Sequence, residues 1–503
     1  MSATTPATHP AHAPAGRAAN QRRFASTGWL SVTLMALLIA STVTLAEQAE
    51  QSYQDNGNGQ AQRLDPYQLS TPQEYVFLQQ QIHSGEAESA HGQLATIIEQ
   101  IESVRHRYHE DLLVPLTLAG DAHMVRNEYQ SALEHYDRAR HVARVSTGLF
   151  DPGQLPIVYR EANALRRIGD LKSAIQREEY AYEVAKKAFG NYGSQGLPAL
   201  YRLADFYIYI NHYIAARSLY NKAMAIHGIL QEDTTPEAIP ALEGIAKSHR
   251  LTRFPPYYVN ASTESAPVAG PTPGLTSADL ENQHIAFNDF PAGERALQQI
   301  IEIRQLHNAD DSEKIIDALL DLADWHLMFD RSNTARTLYT HIYENYAETG
   351  PEVARFAEPR QIYYPLPEDP KAPPEGTDQV PREGYVTLGF DVSATGRVRK
   401  LKTLESVPDG LMDFRVRRSM RLAVYRPGFV DGLPTNAPDQ TFTYRFTYYP
   451  KKGTLPPQEP QETQETQEAD ETQKTPTEAA PIPDNTPAET AQTTDRTLRG
   501  SSG

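Results

Sequence analysis

The sequence repeats itself with a period of 42 residues over its central part. The segment LPIVYREANALRRIGDLKSAI, which starts at Leu155, aligns with LPALYRLADFYIYINHYIAAR, which starts at Leu197. After the same interval, Ile239 and Pro240 stand where the pair Leu-Pro opens the other two segments. A fixed period of about 20 to 50 residues is typical of chains that stack one supersecondary unit many times. The repeat therefore predicts a stack of similar units.

Small and turn-forming residues keep this spacing and indicate what each unit is. One set lets two helices approach closely: Gly120, Ala162, Ala204 and Ala246. A second set tolerates the left-handed conformation that ends a helix: Gly85, Asn127, Gly169 and Asn211. A third set follows five residues later, early in a second helix: Ala90, Ala132, Ala174 and Ala216. Each unit is predicted to be a helical hairpin, with Pro156, Pro198 and Pro240 at the start of its first helix.

The order of residues within one copy resembles the tetratricopeptide repeat (TPR). The family's small–aromatic–turn–aromatic–Ala–aromatic–Ala order is read here as Ala204, Tyr207, Asn211, Tyr213, Ala216, Tyr220 and Ala223. The usual TPR period is about 34 residues, so the extra residues must lengthen the second helix and its loop. Glu178 departs from the pattern, because the neighbouring copies have an aromatic residue there. The resemblance implies a mostly α protein with a TPR-like α-solenoid.

We place the TPR-like repeats at 71–251 and 277–350, about six helical hairpins in all. Residues 71–108 are a degenerate first copy, and residues 236–251 are predicted to be a lone first helix. A Pro-, Ser- and Thr-rich disordered insertion is predicted between the two groups, at 252–276. Two weaker copies follow it and are marked by Phe290, Gly293, Leu297, Ala323, Trp325, Ala335, Tyr339 and Ile342.

A different pattern begins after a proline-rich linker at 351–383. Near-alternation of apolar residues predicts a strand at 385–392, and a second strand follows a Gly-containing turn. A helical period at 409–424 and a last strand at 441–448 complete the order β-β-α-β. The pattern therefore predicts a small α+β domain at 384–449.

This small domain resembles the C-terminal domain of TonB-type energy transducers. The matching pieces are Gly384-Tyr385-Val386-Thr387-Leu388-Gly389-Phe390, Gly396-Arg397-Val398, Tyr425-Arg426-Pro427 and Gly432-Leu433-Pro434-Thr435. The resemblance implies a small sheet with an exposed edge that accepts a partner's strand by backbone pairing.

The two ends of the chain are predicted to lie outside the folded domains. Residues 1–46 hold basic residues followed by an apolar run at 29–46, which fits either a cleaved secretory signal or a membrane anchor. Residues 47–70 are a linker, and residues 450–503 form an acidic, Pro-, Gln- and Thr-rich tail that is predicted to be disordered. We therefore expect a periplasmic protein, either soluble after cleavage or anchored in the inner membrane.

Composition and motifs argue against several classes of function. The chain has no cysteine, which excludes thiol catalysis and thiolate metal sites, and its net charge of −17 argues against a nucleic-acid partner. No catalytic motif is found, and no cofactor or metal site is predicted. His106 and His109 lie at helical spacing without a nearby third ligand, so a solvated helix face is the simpler interpretation.

The remaining interpretation is a protein- or peptide-binding scaffold or adaptor of the cell envelope. Its predicted partner-binding residues lie on the third well-defined hairpin and on the basic C-terminal domain: Tyr207, Tyr209, His212, Arg397, Arg399, Arg417 and Arg418. The simpler interpretation of the tyrosines is the core of the stack, and that of the arginines is an ordinary solvated face. The alternative is a TonB-type energy transducer, which needs residues 29–46 as a membrane anchor. The sequence leaves the oligomeric state open.

Overall fold

The computed structural model describes residues 69–257, 289–307, 311–347, 354–371, 373, 380–430 and 432–450. The segment predicted as signal or anchor at 1–46 lies outside the described residues. So do most of the linker at 47–70, residues 258–276 of the predicted insertion, and the tail from residue 451 onward.

Six helical hairpins follow one another in the described residues between 73 and 342. The first four hairpins are α1 (Gln73–His83) with α2 (Ala87–Val104), α3 (Leu113–Val125) with α4 (Tyr129–Ser146), α5 (Leu155–Ile168) with α6 (Leu171–Phe189), and α7 (Leu197–Tyr209) with α8 (Tyr213–Leu230). The last two are α9 (Ile239–Arg253) with α10 (Asp289–His307), and α11 (Ser312–Met328) with α12 (Ser332–Ile342). Each hairpin packs against the next, which confirms the predicted TPR-like solenoid.

The residues that define the repeat have the structural roles predicted for them. The turn residues adopt left-handed backbone conformations, with φ of 94° at Gly85, 61° at Asn127, 89° at Gly169 and 63° at Asn211. Asp330 takes this conformation in the sixth hairpin, with φ of 61°. The predicted alanines of the second helices are fully buried: Ala90, Ala132, Ala174, Ala216 and Ala335.

Large tyrosines of the second helices pack against glycine on a first helix. A Cβ atom on Gly120 would come within 2.3 Å of the Tyr136 ring. A Cβ atom on Gly244 in α9 would meet the Tyr220 ring at the same distance. Glycine at these two positions therefore lets the helices approach, and each tyrosine fills the space that a side chain would need.

The fifth hairpin differs from the sequence-based expectation. Residues 236–251 do not form a lone first helix, because α9 pairs with α10 across the segment 254–288. Leu242 of α9 and Leu297 of α10 share one hydrophobic core. The insertion therefore lies within one hairpin and not between two groups of repeats. The 42-residue register does not reveal this, because the insertion displaces the second helix along the sequence.

The C-terminal region contains a three-stranded antiparallel sheet in the order β3-β2-β7, formed by β2 (Arg382–Val392), β3 (Val398–Val407) and β7 (Ala437–Tyr448). Helix α14 (Asp413–Met420) packs on one face of this sheet. Other short elements are α13 (Ala354–Ala357), β1 (Arg360–Tyr363), β4 (Val424–Arg426), β5 (Phe429–Val430) and β6 (Leu433–Pro434).

This region follows the predicted β-β-α-β order with two differences. Helix α14 is shorter than the apolar pattern at 409–424, because Gly410 has φ of 74° and the chain enters β4 at Val424. The linker at 351–383 also contributes structure, since β1 pairs with β4 in a separate two-stranded sheet. The single helix predicted at 409–424 therefore corresponds to a turn, a shorter helix and the start of a strand.

Candidate functional site

An aspartate–tyrosine hydrogen bond recurs in the repeats. The Tyr136 hydroxyl donates to Asp121 Oδ1 at 2.7 Å, and the Tyr339 hydroxyl donates to Asp324 Oδ1 at 2.6 Å. Tyr220 makes the same bond to Asp205, 15 residues before it in the chain. The bond joins the two helices of one hairpin and holds the aspartate in place for a second partner.

For Asp121, that second partner is an arginine from the following repeat. Arg160 of α5 donates from Nε to Asp121 Oδ1 at 2.8 Å, which links the second repeat to the third. Arg202 of α7 stands at the same repeat position, and its Nε and Nη2 donate to the two carboxylate oxygens of Glu178 at 3.0 Å. Glu178 therefore departs from the aromatic pattern because it receives a bidentate arginine from the next repeat.

These arginines border a cleft between the first helices of the third and fourth repeats. The cleft has a volume of about 220 Å³ and is lined by Pro156, Tyr159, Arg160, Ala162, Asn163, Arg166, Glu178, Arg202 and Phe206. Three of the lining side chains are arginines and one is a glutamate, so the lining has a net charge of +2. The first helices form the surface that stacked hairpins usually present to a partner.

The arginines of the cleft are held in fixed positions. The Arg202 guanidinium lies 3.8 Å from the centre of the Tyr159 ring, in addition to its bond with Glu178. Arg166 Nη2 donates to Asn163 Oδ1 at 2.9 Å, and its guanidinium lies 4.9 Å from the Tyr209 ring centre. Arg160 and Arg202 are each paired with a carboxylate, so the positive charge of this ordered cleft comes from Arg166, which lies beside an aromatic ring.

The aromatic residues predicted to bind a partner occupy different environments. Tyr207 is 2% exposed and donates to Glu179 Oε1 at 2.7 Å, so its ring belongs to the core of the array. His212 precedes α8 and stacks on Tyr207, and burial lowers its pKa. Tyr209 is 41% exposed and lies beside Arg166. Of these three side chains, Tyr209 is the one that a partner in the cleft could reach most easily.

The four predicted arginines of the C-terminal domain do not form one site. Arg397 makes an ion pair with Asp330 at the turn of the sixth hairpin. Arg399 is exposed on β3, and Arg418 is exposed on α14. Arg417 is half-buried on that same helix. Arg397 therefore contacts the repeat array, and the other three remain predicted binding residues, one on β3 and two on α14.

The C-terminal domain docks on the sixth hairpin through Arg426. Its Nε and Nη2 donate to the two oxygens of Asp324 at 3.0 and 2.7 Å. Burial and the charge of Asp324 raise the pKa of the Tyr339 hydroxyl, which shares this carboxylate. Arg426 thus binds Asp324 in the way that Arg160 binds Asp121. Arg426, however, comes from a strand and not from a further repeat.

Aromatic packing extends this contact. The Phe429 ring lies 5.8 Å from the Tyr339 ring and 5.1 Å from the Phe356 ring, measured between centroids. Phe429 and Val424 belong to the same hydrophobic core as the fifth and sixth hairpins. A helical stack needs a terminal unit that covers its last apolar face, and here the α+β region covers it. The Tyr425-Arg426-Pro427 motif is visible in the sequence, but its part in this contact is not.

Histidines are concentrated at the other end of the array. Burial, with a further contribution from His123, lowers the pKa of His135 to about 4. Burial also lowers the pKa of His91, and the hydrogen bond with His123 lowers the pKa of Glu128. In the part of the chain that the structure describes, these three histidines are the one group arranged so that it could hold a metal ion.

The histidines singled out in the sequence have another role. His106 and His109 have ring centroids 5.4 Å apart, just before the short 3₁₀ helix Glu110–Leu112. The His109 Nδ1 atom accepts from the backbone N–H of Asp111 at 3.3 Å. His109 therefore caps the start of this helix.

Comparison with solved structures returned TPR-like proteins. The TPR-like repeats of a kinesin light chain described for Podosopora anserina match with 14% identity and a TM-score of 0.33, covering 46% of this chain and 93% of that one. BtubC (BKLC) from P. vanneervenii matches with 13% identity and a TM-score of 0.33, covering 60% and 99%. No protein-family model and no curated protein sequence matched the chain. The repeat fold stated here rests on the helix pairing described above.

No helix in the described ranges is long and apolar enough to cross a membrane. The apolar run at 29–46 lies outside these ranges.

Proposed function

We propose that this protein is an interaction scaffold whose cleft between α5 and α7 binds an acidic peptide segment of a partner. The observation that carries the proposal is the cleft itself, in which the Arg166 guanidinium is hydrogen bonded to an amide and not to a carboxylate and lies beside an aromatic ring. Guanidinium groups suit carboxylates because their N–H donors match the two oxygens in a planar fork. Aromatic side chains beside them add apolar contact area for the rest of the peptide.

The fixed arginines support this proposal for an energetic reason. Binding usually costs side-chain entropy, since mobile groups must be ordered when the partner arrives. Here Arg166, whose hydrogen-bond partner is an amide and not a carboxylate, is already held by Asn163 and Tyr209. Little further ordering is needed when a carboxylate enters the cleft.

Charge reversal in the cleft tests the proposal. Arg166→Glu should lower the affinity for a fluorescein-labelled, glutamate-rich peptide by about tenfold or more, measured by fluorescence anisotropy. The matched control is Arg167→Glu, because this neighbouring arginine is exposed and does not line the cleft. Equal losses in the two variants would show that binding follows net charge alone and would contradict the cleft as the site.

For the C-terminal domain we propose a second binding surface, the outer edge of β7, which pairs with no other strand among the described residues. Its resemblance to the TonB C-terminal domain implies strand addition, and two of its features favour this edge. β7 pairs with β2 in unbroken register from Arg382–Tyr448 to Phe390–Gln440, which leaves a long, regular outer edge. The other edge strand, β3, has two register shifts and a positive φ at Lys400, and bulges of this kind oppose pairing with another strand.

We propose a periplasmic location, on the basis of the basic and apolar N-terminal pattern alone. N-terminal sequencing of the mature protein tests it. A start near Glu47 would support a soluble periplasmic scaffold. Retention of residues 29–46 in an inner-membrane fraction would favour the energy-transducer alternative, which requires an anchor.

A further inference from the structure

Three imidazole rings meet at the start of the repeat array. They are contributed by His91 in α2, His123 in α3 and His135 in α4, so that the first two repeats share the cluster. Ring centroids are 4.5 Å apart for His91 and His123, 5.1 Å for His123 and His135, and 5.9 Å for His91 and His135. One nitrogen from each ring lies within 4.8 Å of the other two.

A carboxylate orients the central ring of the cluster. Glu128 Oε2 lies 2.7 Å from His123 Nδ1, and Glu128 Oε1 accepts from Arg126 Nη2 at 2.8 Å. An ionised carboxylate only accepts hydrogen bonds, so His123 Nδ1 carries a hydrogen, and a neutral ring in this tautomer has its lone pair on Nε2. Histidines that bind metal ions almost always use this arrangement, in which the other ring nitrogen donates to a carboxylate or carbonyl.

We propose that His91, His123 and His135 bind one divalent transition-metal ion of the zinc class, and that Glu128 orients His123 for this purpose. The ligand set is entirely nitrogen, because the chain has no cysteine. Neutral imidazole suits Zn²⁺, Ni²⁺ and Cu²⁺, whereas Mg²⁺ and Ca²⁺ require oxygen ligands. Three protein ligands leave the fourth position of a tetrahedral ion open to water or to a partner's side chain.

The observed geometry is close to what such an ion requires. Zn–N bonds of about 2.0–2.1 Å place tetrahedral ligand nitrogens about 3.3 Å apart. The three nitrogens lie within 4.8 Å of one another, so modest ring rotations bring them into position. His123 is buried, whereas His91 and His135 are half-buried, which leaves a path by which the ion can enter.

The site would add a further link between elements that already meet through packing and through the ion pairs of Arg126 with Glu88 and of Arg138 with Glu102. An ion held by α2, α3 and α4 ties the terminal first hairpin to the second, at the end of the array opposite the docked C-terminal domain. This proposal is independent of peptide binding in the cleft, because the two sites share no residue.

The site is tested by titrating the chelator-stripped full chain with Zn²⁺ alone and measuring binding by isothermal titration calorimetry. We expect saturable one-to-one binding. His91→Gln and His135→Gln should each abolish it, and Glu128→Gln should weaken it by about 10- to 100-fold. Co²⁺ bound in place of zinc should show the intense visible absorption of tetrahedral coordination.

The matched control is His141→Gln, because His141 is an exposed histidine on the same helix, α4, and lies outside the cluster. This variant should bind Zn²⁺ like the parent. Absence of saturable one-to-one binding by the parent protein, or an equal loss in His141→Gln, would overturn the proposal. Far-UV circular dichroism of the metal-free variants separates loss of a ligand from loss of the fold. If His135→Gln unfolds, His91→Gln still tests the site.

Discussion

Asp121 and Asp324 occupy the same place in the second and sixth repeats, but different parts of the chain neutralise them. Each accepts a tyrosine hydroxyl from the second helix of its own hairpin. Asp121 then receives Arg160 from the next repeat, whereas Asp324 receives Arg426 from the α+β region. The comparison shows that the C-terminal region takes the place of a seventh repeat at this contact, so it is a cap of the array as well as a domain with its own sheet.

The two contacts also differ in burial, and this difference sets their expected energies. The side chains of Arg426 and Asp324 are 4% and 14% exposed, whereas those of Arg160 and Asp121 are 20% and 19% exposed. Water can therefore replace a lost partner more easily at the Arg160–Asp121 pair than at the Arg426–Asp324 pair. The end of the array should therefore depend more strongly on its arginine than the middle does.

The largest effect is expected for Arg426→Ala. Removing one partner of a buried pair leaves Asp324 with an uncompensated charge, so the free energy of unfolding should fall by about 3–5 kcal/mol. Urea unfolding followed through the fluorescence of Trp325, which lies in α11, measures this locally. Arg399→Ala is the control, because Arg399 is exposed on β3. Equal stability of the two variants would contradict the capping role.

A smaller effect is expected for Arg160→Ala within the array. Asp121 keeps its bond from Tyr136 and is partly solvated, so the loss should be about 1–2 kcal/mol. A double-mutant cycle with Asp121→Asn isolates the coupling between the two side chains. A loss as large as that of Arg426→Ala would mean that burial does not distinguish the two contacts.

The smallest effect is expected for Arg397→Ala at the rim of the docked domain. Its partner Asp330 is 81% exposed, so the free energy of unfolding should fall by less than about 1 kcal/mol. Even this small contribution should disappear at high salt, because exposed ion pairs are screened. Thermal unfolding at low and high salt measures it, and a large, salt-independent loss would show that Arg397 belongs to the core of the contact.

Much of the array could be predicted from the sequence because its restraints are local and repeated. Three kinds of residue recur at 42-residue intervals: the glycines and asparagines of the turns, the buried alanines, and the prolines at helix starts. Each kind has the same local role in every repeat in which it occurs. The pairing of α9 with α10 was missed because the insertion interrupts that interval. The sequence singles out Tyr209, which lies beside Arg166, but it does not single out the lining residues Arg166 and Arg202.

The sequence by itself determined the helical hairpins, their turns and the β-β-α-β order of the last domain, because these depend on residues that are near neighbours along the chain. Only the tertiary structure decided that Arg426 reaches Asp324, 102 residues away, and that His91, His123 and His135 meet. Such contacts depend on how whole elements dock, and docking follows from the summed burial of many side chains. The 42-residue repeat in the sequence does not indicate how these elements dock.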